Sequence, residues 1–207
     1  MDMSSKAQDV FFVFSSEGYL TTFFVRPDLY EKAIKNNLYG EESGREIHHQ
    51  LLYGEENGSY PGYITFPVVF RNKGGNKMRD LLDMRFDGNC FLISDRMKVL
   101  MEDNQVTGWN SYPVIVYDKK GNEVVGYHGF TVTGRGGSIK MLKPWSEIGI
   151  DERPHFIIWD KSQWDGSDVF RIGPNILTIT AKAMQLFKQN KISAASYSPL
   201  SEFLTVI

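Results

Sequence analysis

The sequence predicts an α+β protein, mostly antiparallel strands with a few short helices. Three observations lead there. Aromatic residues make up 14% of the 207 residues and cluster with Val, Ile and Thr in short runs, a strand composition. Turn formers such as "SSEG" and "DKKGN" separate those runs. One strand–helix pattern also occurs twice in the C-terminal part, so the elements are predicted to form two related strand–helix units.

In chain order, "VFFVF" (10–14) and "YLTTFFV" (19–25) read as a β-hairpin turning at Gly18. "RPDLYEKAIKNN" (26–37) reads as a helix, with Pro27, Asp28 and Glu31 in its first turns and Leu29, Ala33 and Ile34 at helical spacing. "LYGEESG" and "LYGEENG" are two similar acidic turns flanking "REIHHQL". "YITFPVVF" (63–70) reads as a strand pushed to an edge by Pro67, "RNKGGNK" (71–77) as a basic loop, and "NKMRDLLDM" (76–84) as a short helix. "YPVIVYDKKGNEVVGYHGFTVTG" (112–134) reads as a hairpin turning at Asp118 to Asn122. "SIKML", "HFIIW" (155–159) and "DVFRI" (168–172) follow as extended segments, the last two around the turn "DKSQWDGS". Residues 1–85 form an N-terminal strand/helix segment and 86–207 a C-terminal part. With no Pro/Ser linker between them, one body is expected.

The repeat aligns "FLISDRMKVLMEDNQVTGWNSYPV" (91–114) with "LTITAKAMQLFKQNKISAASYSPL" (177–200) at an offset of 86. Ser94 and Thr180 are helix N-caps, and Arg96 matches Lys182. Leu100 matches Leu186, Asn104 matches Asn190, and Val106 matches Ile192. Each Asn is expected in the left-handed conformation at its helix end. Asp95, Glu102 and Asp103 correspond to Ala181, Lys188 and Gln189. Caps and core positions recur while charges drift, which describes a scaffold, with the acids forming a solvated face.

Net charge is −2 and the pI near 6.1, which gives no general electrostatic case for nucleic-acid binding and leaves room for an acidic face meeting a basic partner. The single cysteine, Cys90, allows no disulfide within one chain. The N-terminus has neither a basic n-region nor a long apolar run, so no secretory signal or membrane span is expected and the reading is cytoplasmic.

The segments "DVFRIGPNILTITAKAMQLFKQNKISA" (168–194) and "NCFLISDRMKVLMEDNQVTGW" (89–109) carry an acidic-aliphatic-Phe strand start, a Ser/Thr-capped helix and an apolar, Ser/Thr, Gly exit. In that pattern the chain resembles bacterial proteins assigned as immunity proteins of polymorphic toxin systems. The resemblance covers mainly residues 85–204, and Ala194 stands where the exit Gly would be. It implies a protein that neutralises a cognate toxin domain by direct binding, with no catalytic residue to carry over; no cofactor is expected.

For partner contacts, the sequence nominates the acidic turns at Glu41, Glu42, Glu55 and Glu56, and an aromatic loop with Trp159, Trp164 and Asp165. The enzymatic alternative is a hydrolase of a polar polymer such as a glycan, with Asp160 and Asp165 as its acids beside stacking tryptophans. A binding module for an unrelated partner is a third reading. Among the histidines His48, His49, His128 and His155, Glu46 and His49 stand at a metal-like spacing without a second pair, and "DERPH" (151–155) echoes a helical metal motif that Pro154 disrupts, so no metal site is expected. Cys90 beside Phe91 reads as a core thiol.

Overall fold

The computed structural model describes residues 10–17, 21–29, 42–54, 60, 62, 64–83 and 91–207; for residues 42–46, 48, 91 and 145 only the backbone is described. The described chain is α+β, strand-rich and mostly antiparallel. Its strands are β1 (Phe11–Ser16), β2 (Phe24–Pro27), β3 (Val68–Gly74), β4 (Leu81–Asp83), β5 (Phe91–Ser94), β6 (Trp109–Tyr112), β7 (Val114–Tyr117) and β8 (Glu123–Val124). They continue with β9 (Tyr127–Val132), β10 (Gly134–Arg135), β11 (Ile139–Met141), β12 (Ile157–Trp159), β13 (Val169–Ile172), β14 (Ile176–Thr180), β15 (Ala195–Pro199) and β16 (Thr205–Val206). The α-helices are α1 (Glu42–Tyr53), α2 (Asp95–Asp103), α3 (Arg153–Phe156) and α4 (Ala181–Gln189). No helix among the described residues is long and apolar enough to cross a membrane.

Two sheets share one pairing scheme. One runs β4-β5-β9-β6; the other runs β10-β13-β14-β1-β15. In the first, Leu92 and Tyr112 both face Gly129, while Ser111 faces Phe130. In the second, Thr178 and Ser198 both face Val13, while Tyr197 faces Phe14. Positions 92, 111 and 112 thus stand 86 residues from 178, 197 and 198 in register as well as in sequence. The strand between them comes from the middle of the chain in one sheet (β9) and from its N-terminal region in the other (β1). The hairpin β1–β2 expected from sequence does not form. β1 instead pairs on both sides, with β14 and β15, burying Phe11 and Phe14, while β2 pairs with β3. That places an N-terminal strand inside the C-terminal sheet, across the 85/86 boundary.

The two longer C-terminal helices start alike. The Ser94 hydroxyl accepts from the Met97 amide and the Thr180 hydroxyl from the Ala183 amide, each cap residue being extended. They also end alike, but the expected left-handed asparagines are not left-handed. Asn104 (φ −97°) and Asn190 (φ −88°) instead donate their side-chain amides to the Leu100 and Leu186 carbonyls, at 2.8 and 2.9 Å. The residues after them, Gln105 (φ 50°) and Lys191 (φ 52°), reverse the chain. The Val106 and Ile192 amides then bond to Met101 O and Phe187 O. Met97 and Met101 of α2, and Ala183, Met184 and Phe187 of α4, are buried.

Other expectations change for physical reasons. Pro67 does not make an edge: the strand begins after it, at Val68, and β3 lies between β2 and β7. The basic stretch 71–74 is strand, not loop, because Asn72 and Gly74 face the core while Arg71 and Lys73 face outward. The helix expected over 76–84 is replaced at Leu81 by β4, whose two leucines are fully buried against β5. The helix expected from Arg26 is still strand through Pro27, with helical backbone at Asp28 and Leu29 and the remainder outside the described residues. The 112–134 hairpin closes only as β7–β8, and β9 leaves to join β5 and β6. His155 lies in α3, and β12 pairs with β11 and β16 rather than with β13.

Most buried side chains form one core between these sheets and helices. A second cluster of Phe11, Ile157, Trp159, Phe170, Ile172, Leu200 and Leu204 lies on the other face of β1, β13 and β14.

The exit residues are Gly108 (φ 83°) and Ala194 (φ 63°), again 86 apart. A left-handed alanine costs roughly 1–2 kcal/mol. Ala194→Gly is therefore expected to stabilise the protein by about 0.5–1 kcal/mol after the entropy cost of glycine, measured by urea denaturation. The reverse change, Gly108→Ala, would place Cβ 2.0 Å from the Val169 carbonyl oxygen, so it is expected to destabilise.

Candidate functional site

The two most interconnected carboxylates of the described chain sit just before β4 and β13. Asp80 accepts from Ser94 Oγ (2.8 Å), Arg96 Nε and Nη2 (3.1 and 2.5 Å), and the Ser193 amide and hydroxyl (2.8 and 2.7 Å). Asp168 accepts from Thr180 Oγ1 (3.1 Å), Lys182 Nζ (2.9 Å), and the Thr107 amide and hydroxyl (3.1 and 3.4 Å). Each aspartate thus holds the cap and the basic residue of the helix beside it, and the Ser or Thr that precedes the exit residue of the other helix. The arrangement is reciprocal: Thr107 follows α2 but bonds to Asp168, and Ser193 follows α4 but bonds to Asp80.

Burial alone would raise the Asp80 carboxyl, but the Arg96 guanidinium and the Ser193 and Ser94 donors outweigh it and hold it at about 2, below its ordinary 3.8. Asp168 is lowered too, where burial is outweighed by Lys182, Thr107 and Thr180. A carboxyl more acidic in the folded than in the unfolded chain stabilises above the unfolded value and loses that contribution as pH falls through the folded one. Urea midpoints are therefore expected to be flat down to about pH 4 and to fall between there and about pH 2. Asp80→Asn is expected to flatten that fall.

The residues nominated from sequence separate. Trp159 is completely buried in the second cluster and donates Nε1–H to the Gly136 carbonyl, so it presents no surface. Trp164 is half-buried against Phe11 and Phe170, with its Nε1–H on Ser167 O. Asp160 caps its turn by accepting from the Ser162 amide. Asp165 accepts from the Ser167 amide (2.9 Å) and the Arg135 amide (2.7 Å). Glu41, Glu55, Glu56 and Cys90 lie outside the described residues; Glu42 opens α1, and its side chain is not described. His128 bonds to Asp95 at 2.6 Å, tying the exposed face of α2 to β9. Among the described residues no three of His, Cys, Asp and Glu gather as a metal-holding group.

The turn carrying Trp164 and Asp165 nevertheless borders a distinctive site. Arg135 on β10 and Arg171 on β13 are register partners on parallel neighbouring strands, so both side chains leave the same face. Arg171 lies over the Tyr53 ring, 4.9 Å from its centroid, with Nη1 3.4 Å from His49 Nε2. Arg135 donates to the Val132, Gly134 and Tyr53 carbonyls, the last at the C-terminal end of α1, where a cation is favoured. Burial and the Arg171 charge push the Arg135 guanidinium below its usual range. Neither arginine forms an ion pair with a described carboxylate. An open pocket of about 370 Å³ lies beside them, bordered also by Gly137, Ser138, Gly173 and Pro174.

No family model matches this sequence, and no curated protein matches it. The site is a cationic pocket on the face of β10 and β13 that holds the C-terminal end of α1, while Trp164 packs with Phe170 on the opposite face. Sequence reading missed both arginines because only the parallel pairing of β10 with β13 joins them, and a two-residue parallel contact leaves no local pattern. Asp80 was legible in principle. "Asp-Leu-Leu" before β4 matches "Asp-Val-Phe" before β13, but two additional residues in the first hairpin break the offset.

Proposed function

We propose that this chain is a binding protein without chemistry of its own, an immunity-like protein that neutralises a cognate bacterial toxin domain by direct contact in the cytoplasm. Its scaffold is one strand–helix unit used twice, the second completed by β1. The observation that supports this reading best is how the aspartates are occupied. Asp80 and Asp168 tie the two units to each other, and Asp160 and Asp165, the acids nominated for the hydrolase alternative, are engaged in capping turns. The face that stands out for contact is the cationic pocket beside Arg135 and Arg171, next to the C-terminal end of α1. This shifts the expected partner chemistry from a basic to an acidic group at the centre of the contact.

Co-expression with the toxic C-terminal domain encoded by a neighbouring reading frame tests the reading. Rescue of growth, together with a stable complex of the two purified proteins, is the expected result. Loss of both would remove the proposal. Asp160→Ala with Asp165→Ala is expected to leave rescue intact, and a lost rescue with preserved binding would favour the hydrolase.

A further inference from the structure

We propose that Arg171, backed by Arg135 and His49, forms a binding subsite for an oxyanion, the carboxylate or phosphate group of a ligand. This goes beyond the toxin-binding reading and does not depend on it. Like charges directly opposite on neighbouring strands are destabilising, and adjacent strands lie only about 4.8 Å apart. In this fold the Asp165 charge offsets only part of that repulsion at Arg135, and its oxygens are directed to the backbone amides of Arg135 and Ser167 rather than to either guanidinium.

The two arginines differ in role. Arg135 uses three donor contacts on backbone carbonyls, which fixes its plane. Arg171 Nη1 lies 3.4 Å from His49 Nε2, but that nitrogen donates its proton to the nearer Pro174 carbonyl and so offers Arg171 no acceptor, while Tyr53 stacked on its face sets the orientation of its fork. A guanidinium held by stacking with most of its N–H groups open to a pocket is the geometry that receives an oxyanion bidentately. His49 is itself oriented, with Nε2 3.0 Å from the Pro174 carbonyl and its ring against Tyr53. The pocket of about 370 Å³ admits a small acidic group and leaves room for the chain that bears it.

The test is titration of the purified protein with inorganic phosphate and, separately, with acetate at constant ionic strength, following the arginine Nε–Hε signals by NMR. Saturable shifts of the Arg171 signal are expected with at least one anion, and at least tenfold weaker binding for Arg171→Gln. Phosphate alone saturating identifies a phosphorylated ligand; both saturating identifies a carboxylate-tolerant site. Arg171→Lys keeps the charge but loses the fork, and is expected to bind with intermediate strength. Shifts that fail to saturate, or that persist unchanged in Arg171→Gln, would overturn the proposal. So would a melting temperature of Arg171→Gln in anion-free buffer depressed as far as that of a core truncation, since Arg171 would then be a structural residue.

Discussion

Asp80→Ala is expected to lower stability by about 2–4 kcal/mol, from the loss of several charge-assisted hydrogen bonds to a buried carboxylate. The loss has three parts. Ser94 and Ser193 lose an acceptor in a half-buried place, the Ser193 amide is left unpaired, and Arg96 keeps its carbonyl bonds to Asn190 and Lys191 but loses its counter-charge. Asp168→Ala is expected to cost less, about 1–3 kcal/mol, because Lys182 makes a single contact where Arg96 makes two. Urea unfolding followed by far-ultraviolet circular dichroism measures both. A loss below about 1 kcal/mol at Asp80 would show that the cluster contributes little. The double variant reports on the joint between the units. Losses that sum would mean that each aspartate acts locally; a smaller combined loss would mean that releasing one of Ser193 and Thr107 already frees the other.

The second large effect is expected at Trp159. Trp159→Ala removes the largest fully buried side chain described and should cost about 3–5 kcal/mol. Its ring meets Phe11 edge-on at 5.3 Å and stacks with Phe170 at 5.9 Å, and Nε1–H reaches the Gly136 carbonyl at 2.5 Å. Trp159→Phe keeps most of the burial and loses that hydrogen bond, so about half the effect is expected. Trp164→Ala, at a half-buried position, is expected to cost less than either. The order Trp159→Ala, Trp159→Phe, Trp164→Ala in thermal denaturation checks the assignment. A harmless Trp159→Ala would mean that the second cluster is not a core at all.

What the sequence makes legible is the part written in short-range chemistry. A hydroxyl before a helix, an asparagine after it and apolar residues at helical spacing all report on neighbours a few residues away, and both α2 and α4 are found where those signals place them. The errors lie where distant segments decide. "VFFVF" followed by a glycine turn looks like half of a hairpin, yet β14 and β15 offer it two partners and a buried face. "RDLLDM" has helical spacing, but pairing with β5 and the donors around Asp80 favour an extended chain. Trp159 in a turn-rich stretch looks exposed, and its burial depends on Phe11, which lies at the other end of the sequence. The arginine pair is a meeting of Arg135 and Arg171 that no window of residues contains.

The placement of β1 has a consequence for biosynthesis. Its residues leave the ribosome early, but the strands on either side of it are among the last described segments to be made. At about 5–20 residues per second, the wait is roughly 10–40 s. During that interval Phe11, Phe12, Val13 and Phe14 form an apolar ribbon with both edges unpaired, the kind of segment that recruits other chains. Newly made protein thus passes through a vulnerable stage that the finished molecule no longer displays, and its yield in a cell depends on what shields that ribbon until residues 176–199 arrive.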